Sequence, residues 1–226
     1  MEDLIDNVSV ILRCRNEERW IGHTIQSCLD HINHPEIIVI DNKSSDESIK
    51  IAKNFAHDPL ITSNKKYTKM KFLDINDYTP GKAINLGVKN AKHELILIIS
   101  SHCILRSFNL ENIEKQLNQH SCIFGNQNPY YFGKRISKRY VWANFTSKKI
   151  INPYSEDEAR YFMHNALSCF KKRTLEENPF DEFLQGKEDR YWAQDIINNG
   201  KTILYDPDLS CDHHYTSNGN TWKGIG

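Results

Sequence analysis

Leu95-Ile96-Leu97-Ile98-Ile99, five consecutive aliphatic residues, decides the fold class of this 226-residue chain. A run of this kind is typical of a strand that is covered on both faces, as in the middle of a parallel sheet. Two further apolar runs, Val8–Leu12 and Glu36–Ile40, precede it, and Met70–Ile75 forms a weaker third. The sequence therefore predicts four strands in the first half of the chain.

Segments with helical spacing of apolar residues separate these runs. They are Glu18–His31, Ser45–Phe55 with Ser45 as its cap, and Gly81–Ala91. Strands that alternate with helices indicate a layered α/β domain with a mainly parallel sheet.

The second half is less regular. Asn109–Leu117 and Lys187–Asn198 have helical patterns, and Asn199-Gly200 should end the second helix. Short strands are predicted at Cys122–Phe124, Ala166–Phe170 and Thr202–Tyr205, whereas residues 127–160 show little periodicity.

Composition excludes several classes of protein. The chain has 29 basic and 29 acidic residues, which argues against a nucleic-acid binder. It has no apolar stretch long enough to span a bilayer, and its acidic start does not resemble a signal peptide, so we expect a cytoplasmic protein. The dispersed cysteines predict buried thiols in a reducing compartment; they are Cys14, Cys28, Cys103, Cys122, Cys169 and Cys211.

Ligands of open α/β sheets bind at the carboxyl ends of the strands. Three polar segments follow predicted strands there: residues 13–18, 41–46 and 100–103. The chain has neither a G-x-x-x-x-G-K-[ST] loop nor a G-x-G-x-x-G turn. The phosphates of a nucleotide would therefore need side-chain cations or a metal ion.

Four segments together resemble the family 2 glycosyltransferases: SVILRCRNEE (residues 9–18), IIVIDNKSSD (37–46), GKAINLG (81–87) and GKEDR (186–190). The resemblance implies a GT-A fold, a Rossmann-like nucleotide-binding α/β fold with a mixed, mainly parallel central sheet. It implies one domain over residues 1–226, with a nucleotide-binding half (1–105) and an acceptor-side half (106–226).

The resemblance also implies donor-binding residues. Asn16, Glu17 and Asp41 match positions that hold the nucleotide base and ribose. Further donor contacts are expected from Arg13, Lys82, Asn85, Ser101 and His102. The alternative for residues 41–46 is a solvated turn that caps the following helix.

Asp189 is the candidate general base, which would take the proton from the attacking acceptor hydroxyl. Its neighbour Glu188 could exchange roles with it. An acidic residue in the first turn of a helix is also explained by the helix dipole alone. By resemblance, His164 and Asn165 would contact the acceptor.

The chain departs from the family at the end of its central strand. Relatives have Asp-x-Asp there to hold a divalent cation, but this chain has Ser100-Ser101-His102-Cys103. His102 could ligate a softer ion such as Mn²⁺ or hydrogen-bond the phosphates, whereas Mg²⁺ would find poor ligands. His213 and His214, expected just after the last strand, are further metal candidates, of which only one should face the site.

Two alternatives remain open for these residues. Each histidine could be a partly buried, hydrogen-bonded side chain, or a zinc ion could bind His102, Cys103, Cys211 and His213. The arginines Arg13 and Arg15, with Lys82, could replace the charge of a carboxylate-bound metal.

Residues 128–160 are rich in aromatic and basic side chains that could meet sugar rings, an anionic acceptor or lipid phosphate. The alternative is a peripheral extension with a small aromatic core.

The sequence thus predicts an inverting glycosyltransferase that uses a nucleotide-sugar donor and a glycan or lipid-linked acceptor. Mn²⁺ or Mg²⁺ is the candidate cofactor, and the absence of Asp-x-Asp leaves the need for it open. Cell-surface polysaccharide synthesis and peripheral membrane contact fit this prediction, and no nucleic-acid partner is expected. The alternatives are a non-catalytic binding module of the same fold and a sugar-nucleotide pyrophosphorylase, although the latter should have a Gly-rich phosphate loop.

Overall fold

The computed structural model describes residues 6–57 and 69–222 of the chain. Its longer strands are β1 (Val8–Cys14), β2 (Glu36–Asp41), β3 (Lys69–Asp74), β4 (Leu95–Ser100), β5 (Cys103–Ser107), β6 (Cys122–Tyr131), β11 (Leu167–Lys171) and β12 (Ile203–His214). Four two-residue strands lie between β6 and β11: β7 (Lys134–Arg135), β8 (Ile150–Ile151), β9 (Tyr154–Ser155) and β10 (Arg160–Tyr161).

Within the described residues, six α-helices connect these strands: α1 (Ile21–His31), α2 (Ser48–His57), α3 (Pro80–Asn90), α4 (Leu110–Gln116), α5 (Lys172–Glu177) and α6 (Glu188–Asn198). Two 3₁₀ turns, Tyr140–Asn144 and Asn220–Trp222, follow β7 and β12.

The central sheet has the strand order β3-β2-β1-β4-β11-β6-β12-β5. Its first four strands are mutually parallel, as the sequence predicts. β11 runs antiparallel to both β4 and β6, whereas β12 runs parallel to β6. The sheet is therefore mixed, and its parallel half carries the β1 and β4 carboxyl ends side by side.

The aliphatic run of β4 is buried on both faces, because successive side chains of a strand point in opposite directions. Leu97 and Ile99 join the core that includes α1, while Ile96 and Ile98 join the core that includes α3 and α6. Burial of each such side chain stabilises the fold by about 1.5–3 kcal/mol. The prediction of a strand covered on both sides is confirmed.

Some predicted boundaries are wrong. α2 begins at Ser48 and not at Ser45, and the carboxylate of Asp46 accepts hydrogen bonds from the Ser48 amide and hydroxyl. β6 continues to Tyr131 through a segment predicted to be irregular. β12 continues nine residues beyond Tyr205, so His213 and His214 lie within the last strand and not after it.

Candidate functional site

A cavity of about 740 Å³ opens at the carboxyl ends of β1 and β4. Its wall includes Arg13 at the end of β1, Ser100 at the end of β4 and the first turn of α6. After β12, the wall is completed by Ser217, Asn218, Gly219 and Thr221. The volume falls within the range of about 300–1,000 Å³ that small-molecule sites occupy.

Two adjacent buried carboxylates, Glu188 and Asp189, form the first turn of α6 at this cavity. Each has its own guanidinium partner. Arg13 Nη1 lies 3.2 Å from Glu188 Oε1, and Arg190 Nη1 lies 2.9 Å from Asp189 Oδ2. Because unpaired charges are rarely buried, these ion pairs explain how two acids remain side by side inside the protein.

Asp189 is bound more completely than its neighbour. Its Oδ2 accepts a hydrogen bond from the backbone N–H of Asn165 at 3.0 Å, and its Oδ1 accepts one from the backbone N–H of Arg190 at 2.9 Å. Burial works to raise the pKa of Asp189, but the Arg190 charge and these bonds prevail and lower it. Burial and the nearby Asp189 charge instead raise the pKa of Glu188. The two carboxyl groups therefore differ in protonation behaviour, as pairs with separate acid–base roles do.

A second buried feature of the site is a chain of hydrogen-bonded polar side chains that begins at His164. The backbone amide of Ala166 donates to His164 Nδ1 at 3.2 Å, so this nitrogen is unprotonated. Burial lowers the pKa of His164 to about 3, which agrees with a neutral ring. Gln127 must then direct its amide NH₂ group to His164 Nδ1, 3.2 Å away, and its Oε1 towards His213.

This assignment fixes the tautomer of His213. Its Nδ1 lies 2.8 Å from Gln127 Oε1 and must donate, so its Nε2 carries a lone pair. That lone pair faces His102 Nε2 at 3.1 Å. On its other side, His102 Nδ1 lies 3.1 Å from Glu17 Oε1 and donates to the carboxylate. Either a proton on His102 or a cation shared by both rings must satisfy the facing nitrogens.

This arrangement fits a divalent metal ion. In many metal sites each ligating His donates its other ring N–H to a carboxylate or carbonyl oxygen, as His102 and His213 do here to Glu17 and Gln127. Cys103 belongs to the same group, since its Sγ and the ring nitrogens all lie within 4.8 Å of one another. Imidazole ligands favour transition metals over Mg²⁺. Cys211, the fourth member of the zinc hypothesis, is not part of this group.

His214 points away from His213 and stacks on Trp20, with ring centroids 4.0 Å apart. Burial lowers its pKa to about 4. The structure therefore brings His213, but not His214, to His102.

Other predicted residues differ in where they lie. Arg13, Glu17, His102, His164, Asn165, Glu188 and Asp189 line the cavity. Asn16, Asp41, Lys82, Asn85 and Ser101 lie outside its lining.

The five residues outside the lining have other contacts. Asn16 Oδ1 accepts from the Ser45 amide at 2.7 Å, and the Asp41 carboxylate accepts from the Ser44 amide. Ser101 Oγ donates to the Arg13 carbonyl oxygen at 2.6 Å, and Lys82 Nζ lies 3.8 Å from Asp77. Asn85 exchanges two hydrogen bonds with the Phe180 backbone, which fixes the loop that leads to α6.

Besides Arg190, which holds Asp189, sequence reasoning missed three contributors to the site. Glu158 lies 3.3 Å from Arg190, Gln127 sets the His213 tautomer, and the residues after β12 line the cavity through Ser217, Asn218, Gly219 and Thr221. Only Arg190 carried a signal, because an arginine directly after two acids at a helix start is a natural partner for them.

A cavity at the carboxyl ends of parallel strands lies where open α/β sheets bind their ligands, and the buried carboxylates and cations around it are typical of a catalytic site. The sequence model of "Glycosyl transferase family 2" matches residues 9–178. The chain belongs to this family, as its motifs predict.

Individual relatives agree with this assignment. Poly-beta-1,6-N-acetyl-D-glucosamine synthase of Staphylococcus epidermidis is 30% identical over 105 residues, which are 45% of this chain and 23% of that protein. The chain spans less than half the length of the curated relatives it matches.

Two solved structures show the GT-A fold prediction to be correct. Residues 1–349 of TarS from S. aureus, in complex with UDP-GlcNAc, have a TM-score of 0.68 at 18% identity, covering 95% of this chain and 60% of that one. The mannosyltransferase PcManGT from Pyrobaculum calidifontis, in complex with GDP-Man and Mn²⁺, has a TM-score of 0.67 at 18% identity, covering 96% and 59%.

Proposed function

We propose that this chain is an inverting glycosyltransferase that moves a sugar from a nucleotide-sugar donor to a hydroxyl group of a glycan or lipid-linked acceptor. One observation carries the proposal: the hydrogen-bonded carboxylate of Asp189 lines the same cavity as Arg13 and the His102 ring. A base and a diphosphate site in one cavity are what direct displacement requires. Similarity to a poly-beta-1,6-N-acetyl-D-glucosamine synthase and to a poly(ribitol-phosphate) beta-N-acetylglucosaminyltransferase supports a role in cell-surface polysaccharide synthesis.

In the proposed reaction the acceptor oxygen attacks the anomeric carbon as the bond from that carbon to the diphosphate breaks. Asp189 takes the hydroxyl proton, and the nucleoside diphosphate leaves with the electron pair of the broken bond. The bonds from the Asn165 and Arg190 amides hold the Asp189 carboxylate in one orientation. The pKa of Asp189 is lowered, so this group stays ionised at neutral pH, whereas burial and the Asp189 charge raise the pKa of Glu188.

Arg13 and Arg15 are the proposed phosphate ligands, because both line the cavity at the end of β1. A guanidinium group pairs bidentately with phosphate oxygens and stabilises charge that develops on a leaving group. Lys82 is a weaker candidate, since its side chain lies outside the cavity lining beside Asp77.

His102 and His213 are the proposed ligands of a divalent ion, with Mn²⁺ favoured over Mg²⁺ by their imidazole nitrogens. When bound, such an ion would supply positive charge to the donor diphosphate. His214 is not proposed as a ligand, because it stacks on Trp20 on the opposite face of β12.

On the acceptor side, Asn165 and the neutral His164 line the cavity next to Asp189. A neutral imidazole and an amide hydrogen-bond sugar hydroxyls without adding charge beside the base. Tyr78 and Val141 supply apolar surface to the same wall.

Transfer assays with Asp189→Asn test the base. We expect a loss of about 10²–10⁴-fold in kcat with little change in nucleotide affinity, because the amide cannot accept the proton. UDP-GlcNAc and GDP-Man, which two structural relatives bind, are the first donors to test. Asp195→Asn is the matched control, since Asp195 is exposed on the same helix.

Equal kcat values for the wild type and Asp189→Asn would remove Asp189 from the mechanism. A wild-type protein that binds nucleotide but transfers nothing would instead favour the non-catalytic binding module. The anomeric configuration of the product, read by NMR, tests inversion separately.

A further inference from the structure

The positive charge of this chain is unevenly distributed. Residues 115–155 contain seven Lys and Arg side chains and no Asp or Glu, although basic and acidic residues balance over the whole chain. The remainder of the protein is therefore net acidic. Not all seven cations are available to a partner, because Lys149 pairs with Asp206 and Lys138 donates to the Phe145 carbonyl oxygen.

Exposed aromatic side chains lie among these cations. β6 and β7 form a hairpin in which Tyr131 pairs with Lys134 across the strands. Phe132 at the tip is 63% exposed, Tyr131 is 46% exposed, and Tyr140, just beyond the hairpin, is 64% exposed. Large apolar side chains in water carry a cost that a binding surface removes.

Backbone conformation adds to this observation. Phe132 has a φ of 45° and Tyr140 a φ of 52°, which are left-handed conformations that bulky residues rarely adopt. Gly133 is the only residue of the hairpin turn that suits such a conformation without cost. Strained backbone conformations cluster at functional sites, and here they hold two aromatic side chains that remain largely exposed.

Three cations accompany the aromatic rings. Lys134, Arg135 and Arg139 are exposed, and within residues 6–57 and 69–222 none of them forms an ion pair. Arg135 donates a hydrogen bond to Asn128 Oδ1. Their charge is thus directed to solvent beside the exposed rings.

This surface adjoins the proposed acceptor side of the cavity. The Tyr131 ring lies 4.8 Å from that of Tyr215 and 6.3 Å from that of Trp222, measured between centroids. Thr221, next to Trp222, lines the cavity, as does Val141, next to Tyr140. A partner bound here would therefore lie at the cavity mouth.

We propose that this aromatic-basic surface, formed by Tyr131, Phe132, Lys134, Arg135, Arg139 and Tyr140, docks onto an anionic phospholipid bilayer. The rings enter the interface between headgroups and acyl chains while the cations meet lipid phosphates. A soluble polyanion fits less well, because it would leave the exposed rings in water. Among the described residues no helix has the length and apolar character to cross a bilayer.

Docking itself does not depend on the transfer reaction. Membrane docking would present the cavity mouth to a lipid-linked acceptor, and this role of docking rests on the proposed function. Binding to vesicles that contain no acceptor or donor therefore tests the surface alone, and transfer to a soluble acceptor tests the function alone.

The experiment is co-sedimentation of the whole protein with vesicles of phosphatidylcholine, with or without phosphatidylglycerol. We expect binding only to the anionic vesicles, weakened by salt. Lys134→Glu/Arg135→Glu should reduce it by about 25-fold or more, at about fivefold for each lost cation. Phe132→Ser should reduce it by roughly tenfold, since its ring no longer leaves water.

Two control variants match these changes. Phe183 is 90% exposed but is preceded by Asp181 and Glu182, so Phe183→Ser should bind anionic vesicles as the wild type does. Lys89→Glu/Lys92→Glu alters net charge equally at exposed positions on another part of the surface and should have a much smaller effect than the hairpin pair.

Absence of wild-type binding to anionic vesicles would overturn the proposal, and so would equal binding by the hairpin and control variants. Binding to soluble polyphosphate that depends on Lys134 and Arg135 but not on Phe132, without vesicle binding, would identify a polyanion as the partner instead.

Discussion

Arg190 should set the pH at which the proposed base becomes active, and its replacement by Gln tests this. The guanidinium group is buried between Asp189 and Glu158, at N–O distances of 2.9 and 3.3 Å, and lies 4.8 Å from the centre of the Phe162 ring. It thus provides a nearby positive charge that offsets the effect of burial on Asp189.

The size of the effect follows from this distance. For charge centres roughly 4 Å apart at an effective dielectric constant of about 20, the attraction is about 4 kcal/mol, or about three pKa units at most. Measured effects of one opposite charge are about 1–3 units. Because Arg190 lowers the pKa of Asp189, its removal raises that pKa, and activity should fall at a higher pH as the solution is acidified.

The assay is the pH profile of kcat/KM for the wild type, Arg190→Gln and Arg190→Lys. We expect the acidic limb to move up by about 1–3 units in Arg190→Gln and by less in Arg190→Lys, which keeps the charge. The apparent pKa of the acidic limb reports Glu188 and Asp189 together, because the two adjacent carboxyl groups influence each other. The side chains of Arg13 and His164 also face this pair. Glu158→Gln is the control and should move the acidic limb to lower pH. Arg190 then has one anion fewer to neutralise, so its charge stabilises the Asp189 carboxylate more strongly.

Removal of a buried ion-pair partner costs about 3–5 kcal/mol of stability, so each profile is measured well below the melting temperature of its variant. An active Arg190→Gln enzyme whose acidic limb coincides with that of the wild type would refute the reasoning. The same limb shift in Glu158→Gln would attribute the effect to lost packing instead.

Two further predictions concern stability and metal binding. Gly87→Ala would place a Cβ atom 2.7 Å from Ile11 Cγ2. We therefore expect the free energy of unfolding to fall by about 1–3 kcal/mol, visible as a lower melting temperature, despite the better helix propensity of Ala. An unchanged melting temperature would show that the side chain of Ile11 moves freely. Mn²⁺ should raise the melting temperature of the wild type more than Mg²⁺ does. His213→Ala should abolish this shift, whereas His214→Gln should retain it. Loss of the shift in both variants would exclude His102 and His213 as the ligand pair.

The parallel half of the fold could be predicted from sequence because its strands are continuous apolar runs with helices between them. β5 and the second part of β12 could not. Asp206-Pro207-Asp208 interrupts the apolar pattern, and the register of β12 shifts between Asp206 and Ser210, so the strand continues across an irregularity that looks like a turn in sequence. His213 was therefore expected outside the sheet, although β5 and β6 flank it.

Within the site, residue types could be predicted but not their contacts. Asp189 and His102 stand in recognisable motifs at strand and helix ends. Glu158 and Gln127 lie 32 and 37 positions from the side chains they hold, in a segment without periodicity. Asn85 shows the converse, because its motif predicted a ligand contact whereas its side chain binds the Phe180 backbone. Long-range hydrogen bonds of this kind leave no local pattern in a sequence.

The unequal environments of Glu188 and Asp189 have a consequence for donor binding. Burial and Asp189 raise the pKa of Glu188, and the Arg13 charge opposes this. A diphosphate that binds Arg13 would take away that opposing charge, so the pKa of Glu188 should rise further and the group should take up a proton, while Asp189 stays ionised through Arg190. Neutral Glu188 would also reduce the repulsion of a negatively charged ligand.

Calorimetric titration of the donor diphosphate in two buffers of different protonation enthalpy measures this proton. We expect net proton uptake near neutral pH in the wild type, none in Glu188→Gln, and wild-type uptake in Glu111→Gln, a control at an exposed position. Because the diphosphate itself can only lose a proton when it meets cations, uptake that disappears with Glu188 has one source within the cavity. Identical proton uptake by the wild type and Glu188→Gln would mean that Arg13 stays bound to Glu188 when the phosphates bind. The different surroundings of Glu188 and Asp189 would then not give the two carboxylates different roles in donor binding.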